Sequence, residues 1–180
     1  MFKEISFNHI LVPTDESPLA WTAVHVAVRL ARASGGSITL LEVVRPLAHA
    51  LTIPLFAPVA GLAASNDGET TELAAACSRA LNDAARRLSE AEGLPVDWRV
   101  LIGSDVARTI VDFAADHGAD AIAMSTHGRG MSRFLLGSVS DRVLRSSAIP
   151  VLVQRPVAAS DVDVLLSESE MVDQLPALSG

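Results

Sequence analysis

Two hydrophobic patterns alternate along the chain. Short, solid apolar runs are separated by longer stretches in which apolar residues return every three or four positions. "HILVPTD", His9 to Asp15, is a run that stops at a proline, and it predicts a buried strand followed by a turn. In the next stretch Ser17 is placed as a helix N-cap and Pro18 at the first helical position. Ala20, Ala23, Val24, Ala27, Val28 and Ala31 follow at helical spacing, and Gly35-Gly36 closes the helix. "SITLLEVV", Ser37 to Val44, predicts a second buried strand. Glu69 to Glu92 predicts a long alanine-rich helix that ends before Gly93 and Pro95. "VDWRVLIG", Val96 to Gly103, alternates as a strand. Ser104 is read as the cap of a helix from Asp105 to His117, with Gly118 as its stop. Ala119 to Ser125 predicts a fourth strand, Ser138 to about Ser147 a helix, and Ile149 to Arg155 a last strand.

This strand–helix alternation with solid apolar strands predicts an α/β fold. It is an open, five-stranded parallel sheet with helices on both faces, Rossmann-like in architecture. Ligands of such sheets lie beyond the carboxyl ends of the strands, where the strand order reverses. If the first strand lies beside the fourth, Asp15 and Gly128 face one crevice.

Composition narrows the picture. The 180 residues are 49% apolar and 19% charged, enough to build a core and too little charge for a disordered chain. The net charge of −7 argues against general nucleic-acid binding, which needs a basic face. That charge is uneven: the end of the chain holds Asp161, Asp163, Glu168, Glu170 and Asp173 without a base. Residues 1–156 are therefore taken as the domain and 157–180 as an acidic tail. Between Ser125 and Arg145 the sign reverses, with Arg129, Arg133, Arg142 and Arg145 against Asp141, a pattern that attracts a small anion. The single cysteine, Cys77, excludes an internal disulfide and fits a reducing cytoplasm. Its simplest role is apolar filler on a helix. Pro46 to Asn66 is long and uncharged, but Pro54 and Pro58 interrupt it, so it reads as a loop and no membrane span is expected.

The candidate chemistry gathers around "STHGRGMSRFLLGSVSDRVLR". Gly128 and Gly130 permit close backbone approach, and Gly137-Ser138-Val139-Ser140 leads into a helix whose first N–H groups suit an anion. Ser138 and Ser140 add hydroxyls, and Arg129 and Arg133 add charge. The same residues support a plainer reading, in which Ser138 and Asp141 form a capping pair and Gly137 only a turn. Asp15 likewise suits either a ligand or the following helix start. The five histidines show no metal-ligand spacing; His127 lies at the crevice without a partner for base catalysis. Walker, dinucleotide and nucleophile-elbow motifs do not match, since the only lysine is Lys3 and Arg133 stands where a third glycine belongs.

Taken together, "ILVPTDES", "LLEVV", "GSDVARTIVDFAADHGADAIAMSTHGRG" and "LLGSVSDRVLRSSAIPVLV" resemble the universal stress protein family over roughly Asn8 to Pro156. The resemblance implies a dimer, formed through the last strand at 149–155. It also implies the ATP-binding motif Gly-x-x-Gly, nine residues, Gly-Ser/Thr. Gly128 and Gly137-Ser138 match that motif. Ser125 replaces its first glycine, and the spacer Arg129 to Leu136 has eight residues. By position the resemblance implies nucleoside contacts from Pro13, Thr14, Asp15, Val43 and Met124. It implies phosphate contacts from Ser125, Gly128, Gly137, Ser138, Val139 and Ser140, with Arg129 beside them. The expected function is a cytoplasmic, ATP-binding regulatory protein of the universal stress response. ATP would carry Mg²⁺ on its phosphates, and hydrolysis would be slow at most. The alternative is a dimeric interaction module that no longer binds nucleotide. An adenylating enzyme is disfavoured, because "TDESPLA" lacks the glycines that grip pyrophosphate after the first strand.

Overall fold

A computed structural model of the chain describes residues 7–46, 66–126 and 137–155. Among them the elements run β1 (His9–Pro13), α1 (Pro18–Ser34), β2 (Ser37–Val44), α2 (Asn66–Glu92), β3 (Val96–Ile102), α3 (Val106–Asp116), β4 (Ala121–Ser125), α4 (Ser138–Ser146) and β5 (Val151–Gln154). The five strands form one parallel sheet in the order β3-β2-β1-β4-β5. The strand order reverses between β1 and β4. The expectations for His127, Gly128, Arg129, Arg133, most of the Pro46–Asn66 segment and the acidic tail lie outside the described residues.

Each face of the sheet carries its own core. Ile10, Val12, Ile38, Leu40 and Ala123 point to one face, where Ala23, Val24, Ala27 and Val28 of α1 and Leu81 and Ala85 of α2 cover them. Leu11, Leu41, Ile122 and Met124 point to the other, under Ile110, Phe113 and Ala114 of α3 and Val143 of α4. The period-2 pleat thus sends neighbouring residues of one strand into different cores, so these strands read as solid apolar runs.

The helix ends follow the local chemistry. Ser17 caps α1, its Oγ accepting from the Ala20 N–H at 3.2 Å, with Pro18 at the first position. Gly35 ends α1 in the left-handed conformation at φ 64°, which a glycine adopts without penalty. Gly36 follows because the chain passes so close that a Cβ there would lie 2.8 Å from the Asn8 carbonyl and closer still to that of Phe7.

Several expected boundaries shift. The cap of α3 is Asp105, not Ser104: its Oδ1 accepts from the Arg108 N–H at 3.1 Å. The expected Ser138–Asp141 capping pair does not form. Gly137 is the N-cap of α4, no side chain bonds to its first turn, and Asp141 pairs instead with Arg145 at 2.9 Å. β4 begins at Ala121, because the Ala119 N–H closes the end of α3 on the Ala114 carbonyl. β5 is shorter than expected, Val151–Gln154, and α2 begins earlier, at Asn66.

Candidate functional site

Parallel strands end with their carboxyl termini on the same side, so the ends of β1, β2 and β4 meet there. A cavity of about 520 Å³ lies at that edge. Its lining includes Pro13, Thr14 and Asp15 after β1, Val43 of β2, Met124 and Ser125 of β4, and Gly137, Ser138, Val139 and Ser140 at the start of α4. Ten of the twelve sequence-predicted positions therefore share one cavity; Gly128 and Arg129 lie outside the described residues. Leu41, Val106 and Ile110 extend the apolar floor begun by Val43 and Met124. Ala20, Glu42 and Arg45 also line it, and these were not picked out from the sequence.

The β1–α1 turn is held by its own side chains. Thr14 Oγ1 accepts from the Glu16 N–H at 3.0 Å, and Asp15 Oδ1 accepts from the Ser17 N–H at 3.1 Å. The Thr14 N–H reaches across to the Leu41 carbonyl at 2.9 Å and ties the turn to β2. Glu16 sits at φ 58°, the one non-glycine residue at positive φ among the described residues. Such a conformation costs roughly 1–3 kcal/mol and persists where surrounding bonds over-determine it. Asp15 thus takes neither the cap of α1 nor a loose surface position: it is fixed at the cavity wall by an Asx turn.

The opposite wall is the start of α4. Gly137 is extended, at φ −62° and ψ 151°, and its N–H bonds to the Thr126 carbonyl at 2.8 Å. Ser140 donates its hydroxyl proton to the Ser125 carbonyl at 2.9 Å, which pins the helix to the end of β4. Because no side chain caps α4, the first-turn N–H groups of Ser138, Val139 and Ser140 face the cavity end without an intrahelical acceptor. With the helix dipole they make an anion-binding edge.

The charges around the cavity are unevenly committed. Arg142 Nη2 donates to Asp105 Oδ2 at 2.5 Å, joining α4 to the cap of α3. This bond, with the Arg108 N–H, holds the Asp105 carboxyl below the usual carboxylate range. Arg142 and Arg145 are both ion-paired, so α4 itself adds little free positive charge to the loop. On the other side of the sheet, Glu42 is the acidic neighbour of the Cys77 thiol. Burial, together with hydrogen bonding to Glu42 and its charge, lifts the thiol to about 11. Cys77 is therefore a protonated, poorly nucleophilic group. His9 bonds Thr39 at 2.8 Å, and His117 bonds the Phe113 carbonyl while stacking on its ring. Among the described residues no three His, Cys, Asp or Glu side chains gather to hold a metal.

The comparisons with known proteins agree with this architecture. The sequence profile of the universal stress protein family matches residues 6–155. A universal stress protein of Methanocaldococcus jannaschii is 30% identical over 149 residues, covering 82% of this chain and 81% of its own. Another, from Mycobacterium tuberculosis, is 32% identical over 133 residues, and there the match spans 43% of the longer protein. Among solved structures, the universal stress protein UspA from Lactobacillus plantarum superposes with a TM-score of 0.66 at 24% identity, covering 83% of this chain and 99% of its own. A universal stress protein solved in complex with cAMP superposes at 0.56 and 23% identity, covering 83% and 98%. At these identities the structural matches speak for the fold alone. No helix among the described residues is long and apolar enough to cross a membrane.

Proposed function

Since the chain belongs to the universal stress protein family, we propose that it is an ATP-binding regulatory protein of the universal stress response, acting in the cytoplasm. One observation carries this reading: a single cavity joins an apolar floor, a fixed carboxylate and an uncapped helix N-terminus. The volume of about 520 Å³ falls within the ordinary span of small-molecule sites. Leu41, Val43, Met124, Val106 and Ile110 suit a flat purine, with the backbone beside Val43 reading its edge. Asp15, with Pro13 and Thr14, suits the ribose hydroxyls. The N–H groups of Ser138, Val139 and Ser140, with Gly137 and Ser125, suit the phosphates; the family resemblance adds Gly128 and Arg129, which lie outside the described residues. Mg²⁺ would ride on the phosphates, because oxygen ligands and water satisfy it without a protein cage. A relative in complex with cAMP supports an adenine ligand.

The protein is read as a binder, not an enzyme. No described residue lines the cavity as a histidine base or as an arginine aimed at a transferring phosphoryl group, and hydrolysis is expected to be slow at most. The dimer is proposed through residues 149–155. β5 is an edge strand, and its four side chains are only half-buried within one chain.

A second reading keeps the dimer and drops the nucleotide. Ser125 in place of glycine and the eight-residue spacer favour it. Thermal melting separates the two. ATP at a hundred times its dissociation constant stabilises the native state by about 2.7 kcal/mol and raises the melting temperature accordingly. Asp15→Ala is expected to blunt that rise. A melting curve unmoved by millimolar ATP selects the interaction module.

A further inference from the structure

Arg45 follows β2 directly and lines the cavity with an exposed side chain. Other arginines near the sheet edge are spoken for: Arg142 holds Asp105, Arg145 holds Asp141 and Arg108 holds Asp112. Arg45 has no ion-pair partner among the described residues, so its guanidinium is available to a ligand. Its place in the sheet says which part of a ligand it meets. β2 and β4 flank β1, and strands lie about 4.8 Å apart, so the end of β2 stands roughly 10 Å from the end of β4. The uncapped start of α4 is pinned to the β4 end by the bonds of Ser140 to Ser125 and of Gly137 to Thr126. A nucleotide with its phosphates at α4 therefore carries its base at the β2 end. There the floor is apolar, formed by Leu41, Val43, Val106 and Ile110.

Resting on the nucleotide reading above, we infer that Arg45 is a base-stacking residue of the site, its planar guanidinium lying over the purine and away from the phosphates. Guanidinium planes stack on aromatic faces, whereas an ammonium acts as a point charge. Above an apolar floor, a stacked guanidinium sandwiches the ring. It adds affinity for a flat heterocycle while leaving the electrostatics of the phosphate end unchanged.

The test is calorimetric titration of the full chain with ATP, for wild type, Arg45→Ala and Arg45→Lys, at several salt concentrations. The exposed position makes folding of the variants the expectation, and circular dichroism melting checks it. Arg45→Ala is expected to bind ATP about three- to thirtyfold more weakly, a loss that persists at high salt, where the charge itself is screened. Arg45→Lys is expected to remain weak. Unchanged ATP affinity in Arg45→Ala overturns the inference. So does a loss that vanishes at high salt, or full recovery by Arg45→Lys, since either makes the residue a phosphate-end charge. If wild type itself fails to bind ATP, the nucleotide reading falls and this inference falls with it; a wild type that binds while Arg45→Ala binds equally removes this inference alone.

Discussion

Replacing Gly137 by alanine perturbs the anion-binding edge with a single methyl group. The backbone at φ −62° and ψ 151° is open to alanine, so the change is one of space and not of dihedral strain. The added Cβ would stand 3.1 Å from the Thr126 carbonyl oxygen, closer than ordinary contact. That carbonyl is itself held by the Gly137 N–H at 2.8 Å, so relief comes from moving the start of α4 by a few tenths of an ångström. Alanine is also a poor N-cap, and the exchange costs about 0.5–1 kcal/mol of stability. At roughly 2–4 °C per kcal/mol for a chain of this size, the melting temperature falls by a few degrees. The binding effect is larger. Hydrogen bonds to charged groups contribute roughly 1.5–3 kcal/mol each, and displacing one weakens ATP by about 10- to 100-fold. Adenosine, which has no phosphate, is expected to bind Gly137→Ala as it binds wild type. Gly137→Ser sharpens the test: it has the same Cβ but adds a capping hydroxyl, so it recovers the melting temperature and not the ATP affinity. Isothermal titration with both ligands, beside thermal melts, reads all of this. If Gly137→Ala binds ATP within about twofold of wild type while its melting temperature drops, the phosphates do not meet α4.

Further predictions concern the frame around the site. Asp105→Asn keeps a capping side chain but loses the charge that pairs with Arg142. The Asp105 carboxyl is held below its ordinary value of 3.8, so its contribution to stability is present above that pH and lost as pH falls through the lowered folded value. Urea midpoints measured downward from pH 5 are expected to fall less steeply for Asp105→Asn than for wild type; parallel profiles would count against the pair. With its thiol near 11, native Cys77 is expected to react with iodoacetamide at neutral pH roughly a hundredfold more slowly than the unfolded chain. Glu42→Gln is expected to speed it, and equal native and unfolded rates would refute the assignment. Gly36→Ala drives a Cβ against the Phe7 and Asn8 carbonyls, which are backbone atoms with little room to yield. A loss of about 2–3 kcal/mol by urea unfolding is expected, and a variant as stable as wild type would mean that the chain does not pass so closely.

Most of the frame was legible because local and tertiary signals agree. Ser17-Pro18 at the start of α1 and Gly35 at its end specify the same limits that packing requires. The solid runs at β1, β2 and β4 reflect burial on both faces. The misplaced caps arose where neighbouring residues could each begin the helix. Ser104 and Asp105 both suit an N-cap, and only the path of the chain after β3 decides which one reaches the Arg108 N–H. Ser138 and Asp141 carry the spacing of a capping pair, but the bond of Gly137 to Thr126 makes Gly137 the cap and starts the helix one residue earlier than that pair requires. Within the site, the positions that the family resemblance marks were named, and Ala20, Glu42 and Arg45, which it does not mark, were not. Arg45 has no motif around it. Glu42 did leave a trace, as the one charge inside the apolar run "SITLLEVV", and that trace becomes meaningful only once α2 brings Cys77 against it.

The nucleotide itself is the quantity that decides the account. The full chain, purified without added nucleotide, is heat-released and its small molecules are identified by mass spectrometry, followed by titration of the emptied protein with ATP. The account predicts an adenine nucleotide in the released fraction and saturable rebinding of one ATP per chain, lost in Asp15→Ala. No released nucleotide, together with no binding at millimolar ATP, would contradict it and leave the cavity as a structural feature of an interaction module.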